Sequence, residues 1–146
     1  MNGDRLSSEN LHASCVSSEG RAVLIAGPSG SGKSDLALRL IDRGFTLVSD
    51  DRTILRKDGD KLVASAPETI KGKLEIRGIG IVDMESINDV PVALVVELTG
   101  DMQRMPDDSR ERIILGAGIP LVNVNAMTAS ASAKVIVALD RLGLKI

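Results

Sequence analysis

The chain has 146 residues, 43% hydrophobic and 26% charged, with a formal net charge of -2; this is enough for one domain that buries its own core. A single Phe, no Trp, no Tyr and a pI near 5.4 leave no stacking platform or basic face for nucleic acid or an anionic membrane. One Cys makes no internal disulfide, no apolar leader opens the chain and no apolar run approaches the roughly 18 residues of a membrane span, so a cytoplasmic protein is expected.

Residues 1–10 are polar and are expected to form a flexible tail before a domain over 11–146. A short strand is expected over 11–16. Gly20 turns the chain into "RAVLIAG", a buried-strand pattern that runs into "GPSGSGKSD". Beyond it Leu36, Ala37, Leu40 and Ile41 recur on one helical face, and Gly44 stands where a carboxy-terminal cap belongs. "FTLVSDD" reads as a strand ending in two carboxylates. "TILRKDGDKLVASA" holds Asp58-Gly59 between two partly alternating segments, a hairpin signal. In "KGKLEIRGIGIVDM" the glycines at 72, 78 and 80 favour loop over regular strand. "VPVALVVEL" reads as a buried strand, and "TGDMQRMPDDSRE" as an exposed functional loop or lid. "RIILGAGIPLVNVNA" gives one or two short strands. From Thr128 a helix is expected, with Ala131, Val135, Ala138, Leu139 and Leu142 at helical spacing. Many strands with two helices predict an α/β fold built on a mixed sheet.

Gly27, Gly32, Lys33 and Ser34 fit the phosphate-loop pattern GxxxxGK[ST] over "GPSGSGKS", with Pro28, Ser29, Gly30 and Ser31 between them. Glycines let successive backbone N–H groups converge on phosphate oxygens, and the following helix offers its positive end to the same anion. Lys33 suits the terminal phosphates and the Ser34 hydroxyl suits Mg²⁺. Asp50 and Asp51 end the next strand, where one can serve as general base and the other can orient a neighbour; spacing does not say which. Glu75 and Arg77 lie among Leu74, Ile76, Ile79 and Ile81, so each needs a partner: a metal, another charge, or one another. Cys15 in "ASCV" has no activating group beside it and reads as a small buried hydrophobe.

In order, "LHAS", "VLIAGPSGSGKSDLALRLIDRGFTLVSDD" and "LEIRGIGIVDM" resemble the catalytic domain of HPr kinase/phosphorylase, the bacterial serine kinase that acts on the phosphocarrier protein HPr. The likeness is clear over about residues 9–84 and includes the spacings, 21 residues from His12 to Lys33, 18 from Lys33 to Asp51 and 24 from Asp51 to Glu75. It implies a nucleotide-binding core like that of phosphoenolpyruvate carboxykinase, with ATP and Mg²⁺ as cofactors and assembly into hexamers. By the same resemblance His12 is the active-site histidine, and Lys33 and Ser34 bind phosphate and metal. Asp51 takes the proton of the substrate serine, Glu75 is a Mg²⁺ ligand, and Arg104 in "MQRMP" matches a later active-site arginine. The implied activity is ATP-dependent phosphorylation of HPr, with phosphorolytic reversal, in control of the phosphotransferase system.

Two departures bear on that expectation. The chain matches a short form without the amino-terminal domain of many family members. Where the family has a basic, glycine-containing loop used for HPr contact, this sequence reads "VNVNAMTASASAK", with no basic residue before Lys134. A kinase of the same chemistry acting on another small protein or metabolite, and an ATP-sensing module without transfer, are the competing expectations.

Overall fold

Residues 22–25 and 92–96 are apolar at consecutive positions and fully or almost fully buried, the pattern of strands covered on both faces. In the computed structural model, which describes residues 8–99 and 110–146, they are the parallel centre of the sheet. The first strands, β1 (Ser8–Leu11), β2 (Ala13–Ser18) and β3 (Arg21–Ala26), are followed by helix α1 (Lys33–Asp42) and β4 (Thr46–Ser49). Next come β5 (Thr53–Asp58), β6 (Lys61–Ser65), β7 (Lys73–Ile76), β8 (Gly80–Asp83) and β9 (Val90–Leu98). The strands β10 (Glu111–Ile114) and β11 (Ala117–Val124) precede helix α2 (Ala131–Leu142).

The main sheet runs β1-β5-β6-β9-β3-β2-β4. β9 is its branch point: its first residues pair with β6 (Ala64↔Val90), and its last pair in parallel with β11 (Val124↔Leu98). β3 lies parallel to β9, Leu24 opposite Val95, so the loop after β3 emerges beside the end of β9. Alternation along β3 feeds two cores. Val23 and Ile25 pack with Leu36, Leu40, Val96, Val135 and Leu139 beneath the helices. Ala22 and Leu24 pack with Leu55, Leu62, Val95 and Ile119 on the other face, where the curled β5–β6 and β10–β11 strands close over them.

The mixed α/β sheet, both helices, the Asp58-Gly59 hairpin and the buried strand over "VPVALVVEL" follow the sequence reading. Two elements differ. The polar stretch expected as tail becomes strand at Ser8, which pairs with Arg56 of β5; the partner lies far along the chain, and local polarity carries no sign of it. The glycine-rich "LEIRGIGIVDM" forms the β7–β8 hairpin, Lys73 opposite Asp83, rather than a loop. Only Leu74 of that hairpin is buried, which is why no alternating pattern is visible in its sequence.

Candidate active site

β3 delivers the chain into the 27–34 loop, and α1 begins at Lys33 with Gly32 as its cap residue and no side chain capping its first N–H groups. Gly32 takes φ 100, and a β-carbon there would lie 3.1 Å from Ala126 Cβ, so no larger residue fits this turn without displacement. The Ser31 hydroxyl is buried without a hydrogen-bond partner. Free helix N–H groups and an orphaned hydroxyl are the donor set a phosphate oxygen accepts from, and the loop therefore fits a polyphosphate. Lys33 is 8% exposed; its ammonium donates to the carbonyls of Gly27 (2.9 Å) and Pro28 (3.2 Å). The charge is thereby held against the carbonyls of the loop itself.

β4 ends against this loop. Asp50 is 6% exposed and its carboxylate accepts three hydrogen bonds. Oδ1 accepts from Ser34 Oγ (2.6 Å) and Ser14 Oγ (2.9 Å), and Oδ2 from the backbone N–H of Glu75 (3.1 Å). Asp50 thus ties together the phosphate loop, β2 and the β7–β8 hairpin. Asp51 faces the other way. Its carboxyl and the His12 side chain are each 61% exposed, with His12 Nε2 2.7 Å from Asp51 Oδ1. Asp51 has φ 71, and Arg52 N–H donates to Asp50 O across it at 2.8 Å, a γ-turn that costs a non-glycine residue about 1–3 kcal/mol. His12, Asp51, Asn10 and Arg52 line a cleft of about 400 Å³.

The structure therefore brings Ser34, Asp50, Asp51 and His12 into one chain of contacts running Ser34–Asp50–Ser14–Asp51–His12, while Lys33, the neighbour of Ser34, bonds the carbonyls of its own loop. Glu75 joins it through its backbone; its side chain is exposed, and no ion pair links it to Arg77. Among the described residues no three His, Cys, Asp or Glu side chains cluster as a ready metal site. Arg104 lies outside the described residues. Burial pushes the Cys15 thiol far above its ordinary value of 9.0, leaving it un-ionised and without nucleophilic character. The sequence left the role of Asp50 open and gave no sign of Ser14, one of three serines on β2.

The chain is similar to known proteins over most of its length. The family described as HPr Serine kinase C-terminal domain matches residues 4–142. The chain is 36% identical over 129 residues to an HPr kinase/phosphorylase of Prosthecochloris aestuarii, covering 80% of this chain and 38% of that protein. To the HPr kinase/phosphorylase of Chlorobium limicola it is 40% identical over 130 residues, covering 80% and 39%. The chain thus spans about two fifths of the length of the curated relatives it matches. A solved structure of the Hpr(Ser) kinase/phosphatase from Coxiella burnetii superposes with a TM-score of 0.77 at 32% identity, covering 92% of this chain and 97% of that one. The phosphate-loop core related to phosphoenolpyruvate carboxykinase, expected from the sequence, is the fold observed. No described helix is long and apolar enough to cross a membrane. By motif order, fold and extent of match, the chain belongs to the HPr serine kinase C-terminal domain family.

Proposed function

We propose that this domain transfers the terminal phosphoryl group of ATP to a serine hydroxyl of HPr. The observation that carries the reading is the division of labour between adjacent carboxylates, Asp50 bound to the phosphate-loop Ser34 and Asp51 facing the open cleft beside His12. The acceptor serine would enter that cleft, and as its oxygen bonds to phosphorus its proton passes to Asp51 while ADP departs. His12 donates to Asp51 Oδ1 and aims the carboxylate, leaving Oδ2 for the serine proton. Lys33 exchanges its carbonyl partners for phosphate oxygens and offsets their charge. Magnesium would be held by Ser34 and Glu75, and Asp50 bonds the hydroxyl of one and the backbone of the other; the ion would supply charge neutralisation on the phosphates. Arg104, from the 100–109 segment, is the proposed further cation, and phosphorolysis is the reverse of the same steps. Action in the cytoplasm as a homo-oligomer, a hexamer by family resemblance, completes the proposal.

Incubation with Mg²⁺-ATP and purified HPr, followed by mass spectrometry, is expected to give phosphoserine; phosphohistidine or unmodified HPr overturns the reading. In Lys33→Ala, turnover falls ~10²-fold or more, and near-normal transfer would discard the mechanism. The absence of a basic residue in the 123–133 segment favours, as second reading, a kinase of identical chemistry with another acceptor. A panel of acceptors with labelled ATP separates the two, and ATP binding with no transfer at all favours a sensing module.

A further inference from the structure

Ser14 is a polar residue wholly buried on β2, between Ala13 and Cys15, which are wholly buried too. A hydroxyl in such a place is unfavourable unless both its donor and acceptor functions are used. Both are. Ser14 Oγ donates to Asp50 Oδ1 at 2.9 Å and accepts from the backbone N–H of Asp51 at 3.1 Å. The pairing of β2 with β4 sets Cys15 opposite Ser49, with a register shift between Cys15 and Val16, which brings Ser14 level with the first aspartate beyond the strand. One hydroxyl therefore acts on two successive residues. It orients the carboxylate that holds Ser34, and it pins the amide of the residue forced to φ 71.

We propose that Ser14 is a positioning residue for phosphoryl transfer: it sorts the two carboxylates, holding Asp50 inward under the phosphate loop and locking the turn that presents Asp51 to the acceptor cleft. This rests on the kinase reading above. Ser14 touches neither nucleotide nor acceptor, so its loss misplaces groups without removing them, and misplacement of about 1 Å is enough to cost up to ~10²-fold in rate.

The test compares wild type with Ser14→Ala, checked for an unchanged circular-dichroism spectrum. Should the alanine variant fail to fold, Ser14→Cys, which fills the same space with a poor donor, replaces it under the same expectations. With Mg²⁺-ATP and HPr, kcat is expected to fall ~10- to 100-fold while KM for ATP stays within about threefold, since Lys33 and the loop N–H groups are untouched. A wild-type kcat overturns the proposal, as does a loss confined to KM. If wild type itself transfers nothing to HPr, the kinase reading fails separately, and amide hydrogen exchange decides the role of Ser14. Exchange at Asp51 about 5- to 10-fold faster in Ser14→Ala, with β3 and β9 amides unchanged, sustains it; an unaltered Asp51 rate overturns it.

Discussion

Asp50 and Asp51 have the same side chain and adjacent positions, yet one is 6% exposed with three donors around it and the other is 61% exposed beside a histidine. Both lie beyond Ser49, where β4 ends, and the left-handed turn at Asp51 sets their side chains apart. Asp51→Asn is therefore an informative change: asparagine tolerates positive φ and keeps the size while losing basicity. It is expected to lower kcat ~10²- to 10⁴-fold with ATP affinity intact, as measured by steady-state kinetics beside calorimetric binding. Retention of wild-type turnover would remove Asp51 as the base. Cys15 gives a second prediction at this scale. Its thiol is pushed up by burial, so above the ordinary value the unfolded chain releases a proton that the folded chain keeps. Fewer protons bound in the unfolded state mean stability falls as pH rises, by up to about 1.4 kcal/mol per pH unit. Denaturant unfolding of wild type between pH 8 and 10 should show that decline more steeply than Cys15→Ala, and the native thiol should not react with a thiol reagent until the protein unfolds.

Two glycines in left-handed turns show what an element demands of its residues. Gly32, at φ 100, abuts Ala126, whereas Gly59, at φ 65, has open space where a β-carbon would go. Alanine at either site meets a left-handed backbone cost of about 1–2 kcal/mol; only at 32 does it also distort the loop and the start of α1. Gly59→Ala is thus expected to lower stability alone, and Gly32→Ala to lower stability and weaken ATP binding ~10-fold or more, roughly the loss of one good phosphate hydrogen bond. Equal ATP affinities in the two variants would argue that the loop does not cradle phosphate. The hairpin signal at Asp58-Gly59 was readable because its turn chemistry is local. The β7–β8 hairpin was not, because its glycines resemble loop and the bond anchoring it, Glu75 N–H to Asp50, spans 25 residues.

Across the whole molecule, β3 and β9 are shared by both cores, so the two faces are expected to unfold as one cooperative unit. Leu36 belongs to the helix-side cluster and Leu24 to the opposite one, each completely buried. Leu36→Ala and Leu24→Ala are each expected to cost about 2–5 kcal/mol and to leave a single unfolding transition in denaturant. A biphasic transition in either variant would show that the faces fold as separate units. The same shared strands place the site: the loop after β3 and the end of β4 meet because β2 pairs with both.

The sequence by itself determined the phosphate loop, both helices, the buried central strands and the residue types that phosphoryl transfer requires, since each rests on local pattern or on a spacing within one element. It also carried enough ordered motifs to indicate the family. Tertiary structure alone decided which aspartate faces inward, that Ser14 serves both, that Ser8–Leu11 is strand, and that Glu75 reaches the centre through its backbone. Those outcomes depend on hydrogen bonds between residues 25 to 48 positions apart, and no window of sequence contains both partners of such a bond.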